Sequence, residues 1–301
     1  MAAYTKVDAE ARYLNLADQK ICVGQQDYLN IPAMISAAQI SGCTMIHPGY
    51  GFLSESEAFA EAVATSGMHF IGPAAEHIEM MGDKAIARAT VSDLGLSVVE
   101  GSKGEVRAAE VASLVNKLGL PVCIKASFGG GGRGMRVVND IAQLQTAIVE
   151  AQAEALASFG ESAFYIEKYI PEARHIEVQV LGDGKGDVLH FGTRECSTQR
   201  RFQKLIEEAP APGIDAALLN NLAKKCVKAM SDIKYRNAGT LEFLYAEGEF
   251  HFIEMNTRLQ VEHPVTELIT GLDIVEAQLF VALNQQLPYA QNDVRFSGTA
   301  I

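Results

Sequence analysis

The chain has 301 residues, 48% of them hydrophobic, which predicts one large domain or two to three small ones around a sizeable core. Its formal net charge of −12 argues against a general binder of nucleic acid or of anionic membrane surfaces. Its five cysteines include no C-x-x-C pair, which argues against zinc and disulfide frameworks and predicts a reducing, cytoplasmic compartment. No apolar run approaches the ~20 residues that span a bilayer, so we expect no membrane segment.

The first 75 or so residues alternate short apolar runs with helical patterns. We predict strands at 20–23, 43–46 and 68–71, and helices at 31–40 and 54–65, the second capped by Gly67. Strands that alternate with helices imply a parallel, doubly wound sheet. This part is therefore predicted to be α/β.

The remaining pattern is richer in strands. Asp83 predicts the start of a helix that runs to about residue 94, and further helices are expected at 141–158, 216–232 and 272–283. Strands are expected at 122–127, 135–138, 164–170, 175–181 and 188–191. Segments 240–245 and 250–255 predict a hairpin around Glu247 and Gly248. The fold class is thus an α/β N-terminal part followed by an α+β part with a small glycine-rich insert.

Four consecutive glycines, Gly129–Gly132, stand between two predicted strands. Each glycine costs backbone entropy on folding, so such a run favours a close backbone approach to phosphates, with Arg133 beside it. Neither a Walker A lysine nor a following helix is present, which excludes the P-loop and Rossmann patterns. A flexible surface hairpin is the alternative.

Two lysines are candidates for phosphate contact. Lys125 ends an apolar strand next to the glycines, although a strand-end lysine can also extend its ammonium into solvent. Lys84 opens the helix after Asp83, where a solvated helix charge is the alternative.

Glu242 and Glu254 lie on the two strands of the predicted hairpin. A three-residue loop would place them opposite each other on one face, whereas a two-residue loop would turn them to opposite faces. Facing carboxylates repel unless a cation lies between them. A metal site therefore requires either the three-residue loop or a bulge in one strand. Oxygen ligands favour Mg²⁺ or Mn²⁺, and two solvated carboxylates are the alternative.

The segment that follows supplies further polar groups. Asn256 adds an oxygen ligand, and Arg258, Gln260 and Glu262 stand at every second position. In extended chain these three side chains would share one face. A cation, an amide and a carboxylate on one face are suited to binding and deprotonating a small anion.

Two other segments can line the same cleft. Glu167–Ile170 ends an apolar strand and could form a base pocket, and His175, Glu177 and Gln179 alternate on the next strand. Residues 194–204 form a basic stretch in an acidic protein, which is either a solvated face or a basic wall over an anion. Cys196 within it has no base adjacent in sequence and is not proposed as a nucleophile.

The order of these parts resembles the ATP-grasp enzymes, and specifically the biotin carboxylase component of biotin-dependent acyl-CoA carboxylases. The segments that carry the resemblance are HPGYGFLSE at 47–55, MGDK at 81–84, IKASFGGGGRGM at 124–135, EKY at 167–169, RHIEVQ at 174–179, CSTQRRFQK at 196–204, EEAPAP at 207–212 and EMNTRLQVEHPVTE at 254–267. The resemblance implies a partial N-terminal domain at 1–80 and an ATP-grasp domain at 81–301, with a lid at about 97–170.

The resemblance also implies a role for each matching residue. ATP would contact Lys84, Lys125, Gly129, Gly130, Gly131, Gly132, Glu167, Lys168, Ile170, His175, Gln199 and Leu244. Mg²⁺ or Mn²⁺ would be held by Glu242, Glu254 and Asn256, and bicarbonate by Lys204, Arg258, Gln260, Val261 and Glu262. Glu262, with Arg258 and Lys204 as the other catalytic residues, would take the bicarbonate proton, and the carboxyphosphate formed next would supply CO₂ to biotin.

The implied partners are a biotin carboxyl carrier protein and a carboxyltransferase component, with a possible homodimer. Acetyl-CoA, and hence fatty acid biosynthesis, is the default for the assembled enzyme. Three departures stand out: the first strands and the C-terminal domain of the family are expected to be absent, and Phe202 replaces the usual histidine of QRRHQK. A non-catalytic nucleotide-binding fragment and another ATP-grasp carboxylate ligase therefore stay open.

Overall fold

A computed structural model describes residues 1–102, 104–126, 135–160 and 162–301. Its helices are α1 (Ile31–Ile40), α2 (Glu57–Thr65), α3 (Ala75–Gly82), α4 (Lys84–Asp93), α5 (Ala108–Leu118), α6 (Leu144–Phe159), α7 (Ala216–Asp232), α8 (His263–Thr270) and α9 (Ile274–Asn284). Its strands are β1 (Ala2–Thr5), β2 (Lys20–Gly24), β3 (Met45–Ile46), β4 (His69–Phe70), β5 (Val122–Ala126), β6 (Arg136–Val138), β7 (Phe164–Lys168), β8 (Arg174–Asp183), β9 (Val188–Arg200), β10 (Gln203–Glu208), β11 (Arg236–Ala246) and β12 (Glu249–Asn256). Within these ranges no helix has the length and apolar character needed to cross a membrane.

The N-terminal part contains two parallel strand pairs, β1 with β2 and β3 with β4. Helices α1 to α3 surround a small core that includes Phe59, Val63 and Phe70. The predicted parallel direction is confirmed. The single doubly wound sheet is wrong for the described strands, because the two pairs belong to separate sheets.

The insert is a three-stranded antiparallel sheet in the order β6-β5-β7. Helices α5 and α6 pack on it around its own apolar core, which includes Val122, Ile124 and Ile166. The predicted glycine run falls between β5 and β6, outside the described residues.

The largest sheet is antiparallel and has five strands in the order β10-β9-β8-β11-β12. One core joins α7 and α4 to this sheet through residues such as Val178, Met230 and Phe243, and another joins α9 to it through Leu181 and Ile274. The sheet is therefore covered by helices on both faces, which explains why most of β8 and β11 is buried. Several polar residues of the cleft come from this sheet, among them His175, Lys204, Glu242 and Glu254.

Helix boundaries follow the predicted caps closely. Asp83 and Asp215 accept backbone N–H groups at the starts of α4 and α7, and α2 starts three residues later than predicted because Ser56 is its cap. All five cysteines are free, as predicted.

One interpretation of the sequence is wrong. The chain leaves β12 at Asn256 and turns through residues 257–262 into α8, so Arg258, Gln260 and Glu262 do not alternate along a strand. Pro264 in the first turn of α8 favours the helix start that replaces the predicted extension.

Candidate active site

A cleft of about 1060 Å³ is lined by β5, β7 to β12 and the loop after β12. Glu177 and Gln179, which the strand alternation predicted to face the cleft, are instead buried and do not line it. Every residue that the resemblance assigns to the site outside the glycine run does line it. These residues are Lys84, Lys125, Glu167, Lys168, Ile170, His175, Gln199, Lys204, Glu242, Leu244, Glu254, Asn256, Arg258, Gln260, Val261 and Glu262. The predicted phosphate-binding glycine run, Gly129–Gly132 with Arg133, lies outside the described residues.

The two carboxylates predicted to hold a metal occupy opposite positions in the β11–β12 hairpin. The turn between the strands has only two residues, Glu247 and Gly248, both with positive φ as in a type I′ turn. A register shift after Glu242 leaves Ile253 as an extra residue, and this bulge restores Glu254 to the position opposite Glu242. The bulge, one of the two geometries that a metal site requires, is therefore confirmed.

Donors on both sides hold this carboxylate pair. The Lys84 ammonium lies 3.0 Å from Glu254, and the amides of Asn256 and Gln260 donate to Glu242 over 2.7 and 2.8 Å. Burial opposes ionisation of Glu254, but Lys84 outweighs it and lowers the Glu254 pKa to about 2. The carboxylate oxygens of the pair fit a hard divalent cation such as Mg²⁺.

The Lys204 ammonium contacts three carboxylates at once. It donates to Glu242 and Glu262 over 2.8 Å each, and it also contacts Glu177. Burial alone would lower the Lys204 pKa, but the carboxylates outweigh that effect and raise it above the usual value. Lys204 therefore stays a cation in the cleft and joins the predicted metal pair to the predicted base.

His175 lies on the same carboxylate cluster. Its Nε2 is 3.0 Å from Glu242 and 3.3 Å from Glu177, while Nδ1 is 3.1 Å from the Gln199 amide nitrogen. Burial disfavours the imidazolium, yet Glu242 and Glu177 outweigh it and raise the His175 pKa to about 10. His175 is consequently a second fixed positive charge that can face phosphate.

The loop after β12 brings the remaining predicted groups into the cleft. Arg258 donates to Glu55 and to the side-chain oxygen Oδ1 of Asn256, both over 2.9 Å. Glu262 precedes the first residue of α8, and Lys204, rather than Arg258, is the cation in contact with it. Val261 is 60% exposed and lines the cleft. The Asn256 oxygen faces Arg258, which leaves Glu242 and Glu254 as the ligands best placed for a metal.

The other end of the cleft contains the predicted nucleotide groups. Glu167 is buried between Lys125, at 2.5 Å, and Arg88. The Lys168 ammonium donates to the carbonyl oxygens of Gly119 and Leu120, and its backbone N–H donates to Glu100. The donors of Lys168 are thus bound to backbone carbonyl oxygens on the side of the cleft formed by β7.

Phe202 also lines the cleft, at the tip of the β9–β10 hairpin. Arg201 and Phe202 have φ values of 52° and 64°, the conformation of a type I′ turn that glycine and asparagine favour. A phenylalanine in this conformation is strained. Its ring is about half exposed and adds an apolar surface to the cleft.

Sequence reasoning missed four functional groups: Glu55, Arg88, Glu177 as the partner of Lys204, and Arg194. The alternation of His175, Glu177 and Gln179 on one strand was the available signal for Glu177. The polar stretch that contains Arg194 resembled a solvated face, whereas the Arg194 side chain is 1% exposed.

Comparison with known proteins identifies relatives over the whole chain. Residues 1–78 match the family described as "Biotin carboxylase, N-terminal domain", and residues 83–290 match "Carbamoyl-phosphate synthase L chain, ATP binding domain". The biotin carboxylase of Pseudomonas aeruginosa is 49% identical over 307 aligned residues, which cover all of this chain and 68% of the relative.

Two solved structures share the fold closely. The β,γ-ATP complex of Campylobacter jejuni biotin carboxylase has a TM-score of 0.96 and 46% identity, over 99% of this chain and 68% of that one. The biotin carboxylase domain dimer of Hydrogenobacter thermophilus 2-oxoglutarate carboxylase, in complex with MgADP, ADP and bicarbonate, has a TM-score of 0.96 and 43% identity, over 99% and 67%.

Proposed function

The chain belongs to the biotin carboxylase family, and from this premise we propose that it uses ATP and bicarbonate to carboxylate biotin on a carrier protein. This is the first half-reaction of a biotin-dependent acyl-CoA carboxylase, for which acetyl-CoA is our proposed final acceptor. The observation that carries the proposal is the contact of Lys204 with both Glu242 and Glu262, because it joins a metal–phosphate end of the cleft to a base.

At the bicarbonate end, Glu262 is the proposed general base. It takes the bicarbonate proton, and a carbonate oxygen then attacks the γ-phosphorus while ADP leaves. The carboxyphosphate formed breaks its C–O bond to give CO₂ and phosphate. The N1′–H proton of biotin passes to this phosphate, and N1′ bonds to the carbon of CO₂. Arg258, Lys204, the Gln260 amide and the Val261 backbone bind the anion and offset its charge as two anions are brought together.

At the nucleotide end, Lys84, Lys125 and His175 offset phosphate charge, and Ile170 and Leu244 pack on the base. Glu242 and Glu254, the latter with its pKa lowered, are suited to hold Mg²⁺, which neutralises charge on the β- and γ-phosphate oxygens. The Gly129–Gly132 run is proposed to cover the phosphates and exclude water from the labile intermediate.

The partners follow from this reaction. Biotin requires a carboxyl carrier protein, and the carboxyl group must then pass to a carboxyltransferase component. We also propose a homodimer, which the dimeric domain from Hydrogenobacter thermophilus supports. A cytoplasmic setting is proposed because all five cysteines are free.

The test is ATP hydrolysis by the purified chain with Mg²⁺ and bicarbonate, with and without free biotin. Biotin should stimulate hydrolysis, and Glu262→Gln should reduce the stimulated rate by at least about a hundredfold, since a positioned base contributes about 10²–10⁴. Glu276→Gln, an exposed carboxylate on α9, is the control and should behave as the unchanged chain.

Two outcomes would contradict the proposal. ATP binding without bicarbonate-dependent hydrolysis would indicate a non-catalytic nucleotide-binding protein. Hydrolysis that responds to another carboxylate, but not to bicarbonate and biotin, would indicate a different ATP-grasp ligase.

A further inference from the structure

A buried guanidinium, that of Arg194, lies beneath the cleft. Arg194, on β9, is 1% exposed and is absent from the cleft lining, so it does not meet a substrate. Its acceptors come from β8, β11, the loop after β12 and α8. They are Glu177 Oε2 at 3.1 Å, Gln179 Oε1 at 2.9 Å, Thr240 Oγ1 at 3.2 Å, Gln260 Oε1 at 2.6 Å and Thr266 Oγ1 at 3.0 Å.

The bond to Gln260 fixes which way its amide points. A guanidinium can only donate, so it holds the Gln260 oxygen, and the Gln260 nitrogen then donates to Glu242 over 2.8 Å. A free glutamine could present either end of its amide to an anion. Arg194 therefore selects the orientation of a group in the proposed bicarbonate site.

The bond between Arg194 and Glu177 helps to position Lys204. Glu177 is fully buried and contacts Arg194, Lys204 and His175. A buried carboxylate needs charge compensation and a fixed geometry, and Arg194 supplies both from below. Glu177 can then hold the Lys204 ammonium toward the cleft, where it also contacts Glu262.

The bond to Thr266 extends the arrangement to α8. Thr266 is 1% exposed and lies one turn after Glu262, the residue that precedes this helix. The guanidinium thus connects the start of α8, which follows the proposed base Glu262, to the sheet that contains Lys204 and Glu242.

We propose that Arg194 is a positioning residue for bicarbonate, which it serves by orienting Gln260 directly and Lys204 through Glu177; this inference rests on the proposed function. The planar guanidinium group of Arg194 has five N–H donors, and these match the five acceptors. A lysine ammonium cannot make the same set of bonds. Removal of the guanidinium should change the anion site more than the nucleotide site, because the contacts of Lys84 and Lys125 do not pass through it, and of the nucleotide-end cations only His175 shares Glu177 with it.

The kinetic test compares Arg194→Lys with Arg88→Lys. Arg194→Lys should raise the KM for bicarbonate about tenfold or more, the equivalent of one charge-assisted hydrogen bond, while the KM for ATP stays within about twofold. Arg88 is a second buried arginine, in contact with Glu167 at the nucleotide end, and its lysine variant should leave the bicarbonate KM unchanged. Equal changes in both KM values, or the same bicarbonate effect in Arg88→Lys, would overturn the inference.

A second, milder variant tests the inference in case Arg194→Lys does not fold. Thr266→Val removes one anchor of the guanidinium without touching the cleft, and it should raise the bicarbonate KM by a few-fold. Thr193→Val is the matched control, because Thr193 is a buried threonine on β9 that bonds the Ala211 N–H instead of Arg194. If the two valine variants raise the bicarbonate KM equally, the effect is general destabilisation and the inference fails.

A readout that does not depend on activity separates this inference from the proposed function. The Gln260 side-chain amide resonance, assigned by its loss in Gln260→Met, should shift or broaden in Arg194→Lys and in Thr266→Val, but not in Thr193→Val. An unmoved resonance would refute positioning by Arg194. A moved resonance in a chain without bicarbonate-dependent hydrolysis would support the positioning and refute the proposed reaction.

Discussion

Glu242 and Glu254 lie directly opposite each other in the β11–β12 hairpin, although the two-residue turn between their strands would place them on opposite faces. The bulge at Ile253 reverses that outcome. A bulge beside an active site commonly redirects a side chain, and here it brings two carboxylates together.

The first prediction concerns this pair. Glu242→Gln and Glu254→Gln should each raise the Mg²⁺ concentration for half-maximal ATP hydrolysis by about tenfold or more, because affinity for a hard cation depends on the number of charged ligands. Glu249→Gln, an exposed carboxylate on β12, should leave the Mg²⁺ titration unchanged. Superimposable titrations for all three variants would rule out the pair as metal ligands.

The second prediction concerns stability without metal or nucleotide. Lys204→Gln leaves Glu177, Glu242 and Glu262 without their shared cation, and it should lower the free energy of unfolding by about 3 kcal/mol, as for a broken buried ion pair. Lys228→Gln removes the exposed pair with Asp232 and should cost less than about 1 kcal/mol. Urea denaturation in EDTA measures both, and equal costs would contradict the account.

The third prediction is acid sensitivity from buried neutral histidines. Burial lowers the pKa of His77, whose Nε2 lies 3.0 Å from the Ile233 carbonyl oxygen, and it also lowers the pKa values of His47 and His190. Below about pH 6.5 the unfolded chain binds a proton that folded His77 does not, so stability falls as pH falls toward the lowered pKa. The free energy of unfolding between about pH 7 and pH 5 should fall less steeply in His77→Gln. If the free energy of unfolding falls equally steeply with pH in His77→Gln and in the unchanged chain, His77 does not contribute to the acid sensitivity.

The fourth prediction concerns the strained hairpin tip. Phe202→Asn should raise the free energy of unfolding by about 1 kcal/mol, because asparagine tolerates the positive φ that strains phenylalanine. Leu205→Asn, at an equally exposed position on the adjacent strand with no positive φ, should not stabilise the chain. A destabilised Phe202→Asn would mean that ring contacts outweigh the backbone strain.

Local signals were sufficient for much of the fold. Helices α1 and α7 have the predicted bounds because Asn30 and Asp215 cap them at their N-termini. The sequence Asp183-Gly184-Lys185-Gly186 is typical of a turn, and the Asp183 carboxylate accepts from three successive backbone N–H groups. These features depend on residues close in sequence.

Features that depend on tertiary pairing were not predictable in this way. Strand β10 has three exposed residues, Gln203, Leu205 and Ile206, and forms by pairing with β9 at the edge of the sheet. The turn from β12 into α8 was interpreted as extended because Arg258, Gln260 and Glu262 alternate, yet the three side chains reach the cleft from a loop. The buried Arg194 has five partners on distant segments, and no local pattern distinguishes it from a solvated arginine.

The most direct test of the central claim is the fate of a bicarbonate oxygen. With Mg²⁺, ATP, biotin and ¹⁸O-labelled bicarbonate, attack of carbonate on the γ-phosphorus leaves one bicarbonate oxygen in the phosphate released. The account predicts one ¹⁸O atom in each newly formed phosphate, and loss of this labelled product in Glu262→Gln. Unlabelled phosphate would mean that water attacks ATP in the cleft and would contradict the account.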